Sequence, residues 1–295
     1  GLGDVYKRQV MGMLLGGALF YFQGSEIFPN IAQTPVWKML LVMTVGFTLL
    51  PVPVSLDIRG WTEMHPLNGP AWSLFFEYIA NILYAVLIRK FTSRWLAVLV
   101  FLAACALIHQ CYTQGNNIGG WTLDVEQCRV GLTRLMFPFF GGLLLFRLCK
   151  PGRVRHGFWW CSLLLVGALA MPHVGGAENF HLNGLYDAFC IIVIFPAVVF
   201  LGASDIPGDI PSRASRFLGN ISYPLYITHY PIVYLYLAWV HDAEVPFSRA
   251  LPVAVGVLFI CIAVAYGCLK LYDEPVRAWL SKRVLARRAP EQPRP

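Results

Sequence analysis

Apolar segments of membrane-crossing length, separated by short polar loops, constrain this chain more than any other feature. The run Ala250–Leu271 is interrupted by charge only at Lys270. Comparable runs are Val10–Phe22, Val36–Val52, Ala71–Ile88, Trp95–Tyr112, Val130–Leu148, Gly157–Met171, Leu185–Leu201 and Phe217–Val240. A helix needs about 20 such residues to cross a hydrocarbon core of about 30 Å. The chain has 295 residues, 57% apolar and 13% charged, whereas soluble domains carry about 25% charged residues. It lacks the polar groups to cover a globule in water. The expected fold is all-α: a polytopic transmembrane helix bundle of about nine hydrophobic segments embedded in the lipid bilayer.

Basic residues follow every second segment. They fall at Arg89, Lys90 and Arg94, at 147–155, at Arg213 and Arg216, and from Lys270 to Arg288. The loops between are poor in Lys and Arg. This alternation puts the basic loops and the carboxyl terminus in the cytoplasm, and the loops at 53–70, 113–129, 172–184 and 241–249 outside. The net charge of +7 sits in short patches between apolar runs, which argues against nucleic acid as a partner. Counted backward, the alternation places Lys7 and Arg8 outside, against the rule. That conflict supports a non-native leader at 1–9, with amino-terminal spans missing, or a first segment that does not cross fully. Residues 10–280 form one integral-membrane domain, and 281–295 a basic, Pro-rich tail.

Eight cysteines occur without a CxxC pair. Most lie in apolar runs as packing residues; Cys111 and Cys128 flank an outer loop and are candidates for a disulfide in an oxidising compartment. His109, His173 and His181 lack metal-ligand spacing, so no metal is expected. P-loop, GxSxG and HExxH motifs are absent. His65 and Trp61 read as loop packing and interfacial anchoring, Asp124 and Glu126 as solvated charges, and Asp273-Glu274-Pro275 as a helix stop at the inner surface.

Two constellations carry chemistry. In FLGNISYPLYITHYP, residues 217–231, a helix places Ser222, Tyr226 and His229 on one face. Pro224 fits its first turn. Pro231 lies inside, removing a ladder bond and freeing the carbonyl of Ile227. The second is Asn68–Glu77, leading into a helix in which Ser73, Glu77 and Asn81 share a stripe. Glu77 lies roughly 9 Å below the outer end and His229 roughly 18 Å from the inner end. Arg134 shares that depth on a third segment. Ionisable groups there are costly and mark sites. The expected arrangement is a Glu77–Arg134 pair lining a wet cavity with His229 nearby.

WSLFFE at 72–77 and SYPLYITHYP at 222–231 resemble acyltransferase family 3, the bacterial membrane O-acyltransferases. Arg134 with FPFFGGLLLFRL, and the closing YDEPVRAWL, are similar to further family segments in the same order. The resemblance implies transfer of an acyl group, usually acetyl, from acyl-CoA in the cytoplasm to a hydroxyl of a glycan or other acceptor outside. The enzyme would sit in the bacterial inner membrane, with acyl-CoA as co-substrate and no bound cofactor. Tyr226, His229, Glu77 and Arg134 become the catalytic candidates, the last three near the acceptor's entry. Ser222 and Tyr223 would meet the thioester arm; Arg153, Arg155 and Arg213 would meet CoA phosphates. The family's early Arg-x10-His motif has no counterpart here, so the catalytic base is not named and the chain as given is expected to be inactive. A multi-span transporter of a small polar or lipid-linked substrate is the competing class, and would show repeat symmetry between halves. A non-catalytic scaffold is the third.

Overall fold

A computed structural model describes residues 2–174, 176, 178–206 and 209–285. The helices are α1 (Leu2–Leu19), α2 (Val36–Phe47), α3 (Ala71–Val86), α4 (Ser93–Gln114), α5 (Val125–Leu148), α6 (Gly157–Leu169), α7 (His181–Phe189), α8 (Phe195–Ala203), α9 (Asp209–Asp242), α10 (Phe247–Cys268) and α11 (Glu274–Leu285). The only sheet among the described residues joins two-residue strands, β1 (Val154–Arg155) and β2 (Asp205–Ile206), in parallel. Short π-helical turns fuse α7 to α8 and α10 to α11.

Among the described residues, four helical runs are long and apolar enough to cross a membrane: α4, α5, the fused α7–α8 and the fused α10–α11. Of the other five expected segments, α2, α3 and α6 are shorter apolar helices, while α1 and α9, which hold Val10–Leu19 and Phe217–Val240, are long but less apolar. In the last run only 11% of the apolar window is buried within the protein. Side chains such as Phe101 and Phe259 face outward. Such surfaces are stable only in an apolar solvent, which the bilayer supplies.

Two compact units form. The first gathers residues up to Ala71 with those from Phe217 onward. In it α1 is longer than Val10–Phe22 and is extended by a 3₁₀ turn to Gln23. It runs parallel to α9: Gly12 abuts Ile227, Gln23 reaches Pro231 and Ser25 reaches Asp242. α10 runs back, since Tyr236 donates to Ala250 O and Cys261 lies by His229 O.

The second expected span is not one. α2 has 12 residues, about 18 Å at 1.5 Å per residue, short of a 30 Å core. Its first turn meets the outer loop, where Lys38 Nζ donates to Asp57 O at 3.1 Å. Its last turn meets α1, where Gln9 Nε2 donates to Gly46 O. Leu49 then adopts a left-handed φ of 62°, and the chain climbs back, with Val52 N bonded to Met64 O. The segment 36–58 is a hairpin that turns back toward the loop it left. Removing one crossing from the count puts the start of α1 on the side from which α9 enters this unit. That is the basic side, so the expected conflict at Lys7 and Arg8 dissolves.

Two further local expectations are corrected. Pro224 is interior to α9, not in its first turn, because the helix starts at Asp209. Asp273-Glu274-Pro275 does not stop the last helix: a π turn over Leu269–Asp273 absorbs the break and α11 continues. Part of the 281–295 tail, including Arg287 and Arg288, lies outside the described residues.

The second unit, Trp72–Arg216, packs α4 against α5 and α7. Leu107, Cys111, Phe137 and Ala188 form its core. Its basic loops share one end: Arg147 Nη1 donates to Phe91 O at 2.7 Å, and β1 pairs with β2. That supports the alternation read from charge. Asp124 caps α5 through Gln127 N, and Glu126 pairs with Arg129. The cysteines are free thiols, including Cys111 and Cys128, so the considered disulfide is not formed.

Candidate active site

Pro231 has no N–H, so the Ile227 carbonyl loses its partner inside α9. A buried carbonyl without a donor costs about 1–3 kcal/mol. Asn68, fully buried in the loop before α3, supplies one: its Nδ2 donates to Ile227 O at 3.0 Å. Gln23 Nε2 donates to Pro231 O at 2.8 Å, and Tyr226 Oη donates to Pro70 O at 3.0 Å. Three side chains thus latch the proline-loosened turn to α1 and to the loop. Gly12 lets them approach: a Cβ there would meet the Asn68 amide and the Ile227 carbonyl.

His229 lies in this turn. Its Nδ1 is 3.0 Å from the carbonyl oxygens of both Leu225 and Tyr226. Both neighbours are acceptors, so in the neutral ring Nδ1 carries the proton and Nε2 is the hydrogen-bond acceptor. The ring stands 6.1 Å from Tyr226 and 5.2 Å from Tyr230, centroid to centroid. Tyr230 continues edge-on to Tyr234 at 4.8 Å.

The ladder ends on a cluster that the sequence reading did not single out. Arg59, wholly buried, lies 3.7 Å over the Tyr234 ring and 4.8 Å over Phe28. Its Nη2 donates to Pro66 O at 2.7 Å, and its Nε is 3.5 Å from Glu63. Tyr234 Oη donates to Glu63 Oε1 at 2.6 Å. Burial raises the Glu63 carboxyl to about 7, against the opposing pull of Arg59. Burial likewise lowers the Arg59 guanidinium and pushes His65 down to about 4. His65 Nε2 contacts Leu49 O, so it packs the loop, as expected. Asp57 folds the same loop, accepting from the backbone N–H groups of Arg59, Gly60 and Thr62. The available signal was Arg59 and Glu63, opposite charges four residues apart beside a membrane segment.

A family model for an acyltransferase domain matches residues 6–269, most of the chain. The chain belongs to acyltransferase family 3. No curated protein and no solved structure matches it. Membership and the apolar helices together make this acyltransferase an integral membrane protein.

The remaining candidates of this family member are placed as follows. In the first unit, Ser222 is exposed and donates to Gly219 O at 2.9 Å, while Tyr223 is half-buried. In the second unit, Glu77 is exposed on α3, and its backbone carbonyl accepts from Asn81 at 2.9 Å. Arg134 lies 4.6 Å over the Trp72 ring and donates to Gly119 O. Among the described residues no ion pair joins Glu77 to Arg134: the guanidinium is held by the Gly119–Gly120 turn and the indole. Arg153, Arg155 and Arg213 are exposed, and β1–β2 pairing brings 154–155 beside 205–206. The described residues contain no His, Cys, Asp and Glu group able to hold a metal.

Proposed function

We propose that this chain is a membrane O-acyltransferase that moves an acyl group, acetyl, from acyl-CoA on the cytoplasmic side to a hydroxyl of a glycan or other acceptor outside. The alcohol oxygen bonds to the acyl carbonyl carbon, the carbon–sulfur bond breaks, and the alcohol's proton ends on the departing thiol. Such chemistry needs a proton acceptor near the hydroxyl and donors where the carbonyl oxygen gains charge. The observation that carries the reading is the fixed His229 ring. Its Nδ1 is tied to two backbone carbonyls, which leaves Nε2 to accept from a hydroxyl within a proline-loosened membrane turn. Tyr226 beside it orders the same turn through Pro70. Glu77 and Arg134 serve the acceptor side, Ser222 and Tyr223 the thioester arm.

Arg153, Arg155 and Arg213 are assigned to CoA phosphates, which suits exposed guanidinium groups near the basic end of their unit. The test uses membranes from cells expressing the gene's full reading frame and acetyl-CoA labelled in the acetyl group. Label should pass to an extracytoplasmic hydroxyl acceptor, and His229→Gln should lower the rate about tenfold, the loss of one hydrogen bond that orients the hydroxyl. Substrate uptake without acyl transfer, or an unchanged rate in His229→Gln, would refute it.

A further inference from the structure

The acyl group's size is legible in a small cavity one helical turn inward of His229. We propose that this cavity seats the methyl end of the acyl group and that Met11, Cys268 and Tyr272 set the chain length accepted. The proposal rests on the acyl-CoA reading above. The cavity is about 10 Å³, the scale of a single water. Met11 of α1 closes one side, Pro224 and Thr228 of α9 the second, and Cys268 with Tyr272 and Asp273 the third.

Size alone does not distinguish water from methyl, but the polar atoms do. A buried water needs two to four polar partners. The Thr228 hydroxyl donates its proton to Pro224 O at 2.9 Å. The Asp273 carboxylate is held by Arg277 Nη2 at 2.6 Å. The surface facing the space is almost wholly apolar, chiefly thioether, thiol, ring and aliphatic carbon, which favours an apolar guest of water-like bulk. The π turn creates the third wall. It inserts a residue into the fused α10–α11 run, and such bulges recur at functional sites. Here it draws Asp273 inward, 1% exposed, while Arg277 stays half in solvent.

An acetyl group presents one methyl to this space; a butanoyl chain presents two more carbons than it can hold. Discrimination per methylene in an apolar pocket is about 10–200-fold, so acetyl-CoA should bind at least about tenfold more tightly than butanoyl-CoA. The experiment is displacement of a fluorescent CoA from the chain in nanodiscs by CoA, acetyl-CoA and butanoyl-CoA. Met11→Ala and, independently, Tyr272→Ala should bring butanoyl-CoA to within about threefold of acetyl-CoA. Met11→Trp, which fills the space, should weaken acetyl-CoA about tenfold and leave CoA itself unchanged. If acyl-CoAs bind but no variant moves the length preference, the seat is wrong and the donor reading stands. If neither CoA nor any acyl-CoA binds, the donor reading falls and the seat falls with it.

Discussion

Asn68→Ala removes the donor that holds the Ile227 carbonyl. The carbonyl is free because residue 231 is proline, and Asn68 is fully buried, so water cannot replace the amide. Leaving such an acceptor unpaired costs about 1–3 kcal/mol. For a protein of this size, 1 kcal/mol corresponds to roughly 2–4 °C in Tm. Asn68→Ala should therefore lower Tm by about 4–8 °C, near the middle of that energy range. Pro231→Ala restores an N–H at the position that would bond Ile227 O within α9. In that background the Asn68 amide is dispensable, and Asn68→Ala should cost less by about 1–2 kcal/mol. Tryptophan fluorescence during thermal unfolding in nanodiscs, on the four members of the cycle, measures this coupling. Equal losses from Asn68→Ala with and without Pro231 would show that the amide and the released carbonyl are not partners, and the latch would be refuted.

Four other outcomes are expected. A Cβ at Gly16 would overlap the Leu67 carbonyl, so Gly16→Ala should destabilise by about 1–3 kcal/mol. Gly142 has nothing within 4 Å, so Gly142→Ala should stabilise by about 0.4–1 kcal/mol in the same unfolding assay. His65 is pushed down to about 4 by burial, so as pH falls from 6.5 to 4 the unfolded chain takes up a proton that the folded one refuses. About 3 kcal/mol of stability is lost across that window. Glu63, raised to about 7, acts oppositely, its contribution being lost as pH rises from 4.5 through 7. The two offset in the wild type; Glu63→Gln should expose stability that rises between pH 4 and 6.5, and a flat curve there contradicts the buried neutral His65. Finally, Gln33→Cys and Ser55→Cys should be labelled by a membrane-impermeant thiol reagent from one and the same face, because α2 returns to the side it left. Labelling from opposite faces would restore a full span.

The Ile227 latch was half legible beforehand. Proline chemistry alone names the carbonyl that Pro231 releases, but nothing local names Asn68, 159 positions away along the chain, as the donor. The same limit explains α2. Val36–Val52 is apolar enough to read as a span, and only the bonds from Lys38 and His65 into distant parts of the loop show it turning back. Charge alternation counts a crossing for every apolar run, and the hairpin at α2 takes one from that count. Glu77 and Arg134 were matched on depth along their helices. Depth fixes height and not azimuth, and Arg134 instead meets Trp72 and Gly119. Arg59 escaped notice because a charge in a polar loop ordinarily faces water, and here aromatic rings of α9 and of the 24–35 loop cover it.

The hairpin at α2 also changes the distance over which a reaction must be carried. A loop that descends about 18 Å into a core of about 30 Å leaves roughly 12 Å of barrier beneath it. A group handed over at that floor would travel less than half the thickness of the membrane, with no carrier needing to tumble from one leaflet to the other.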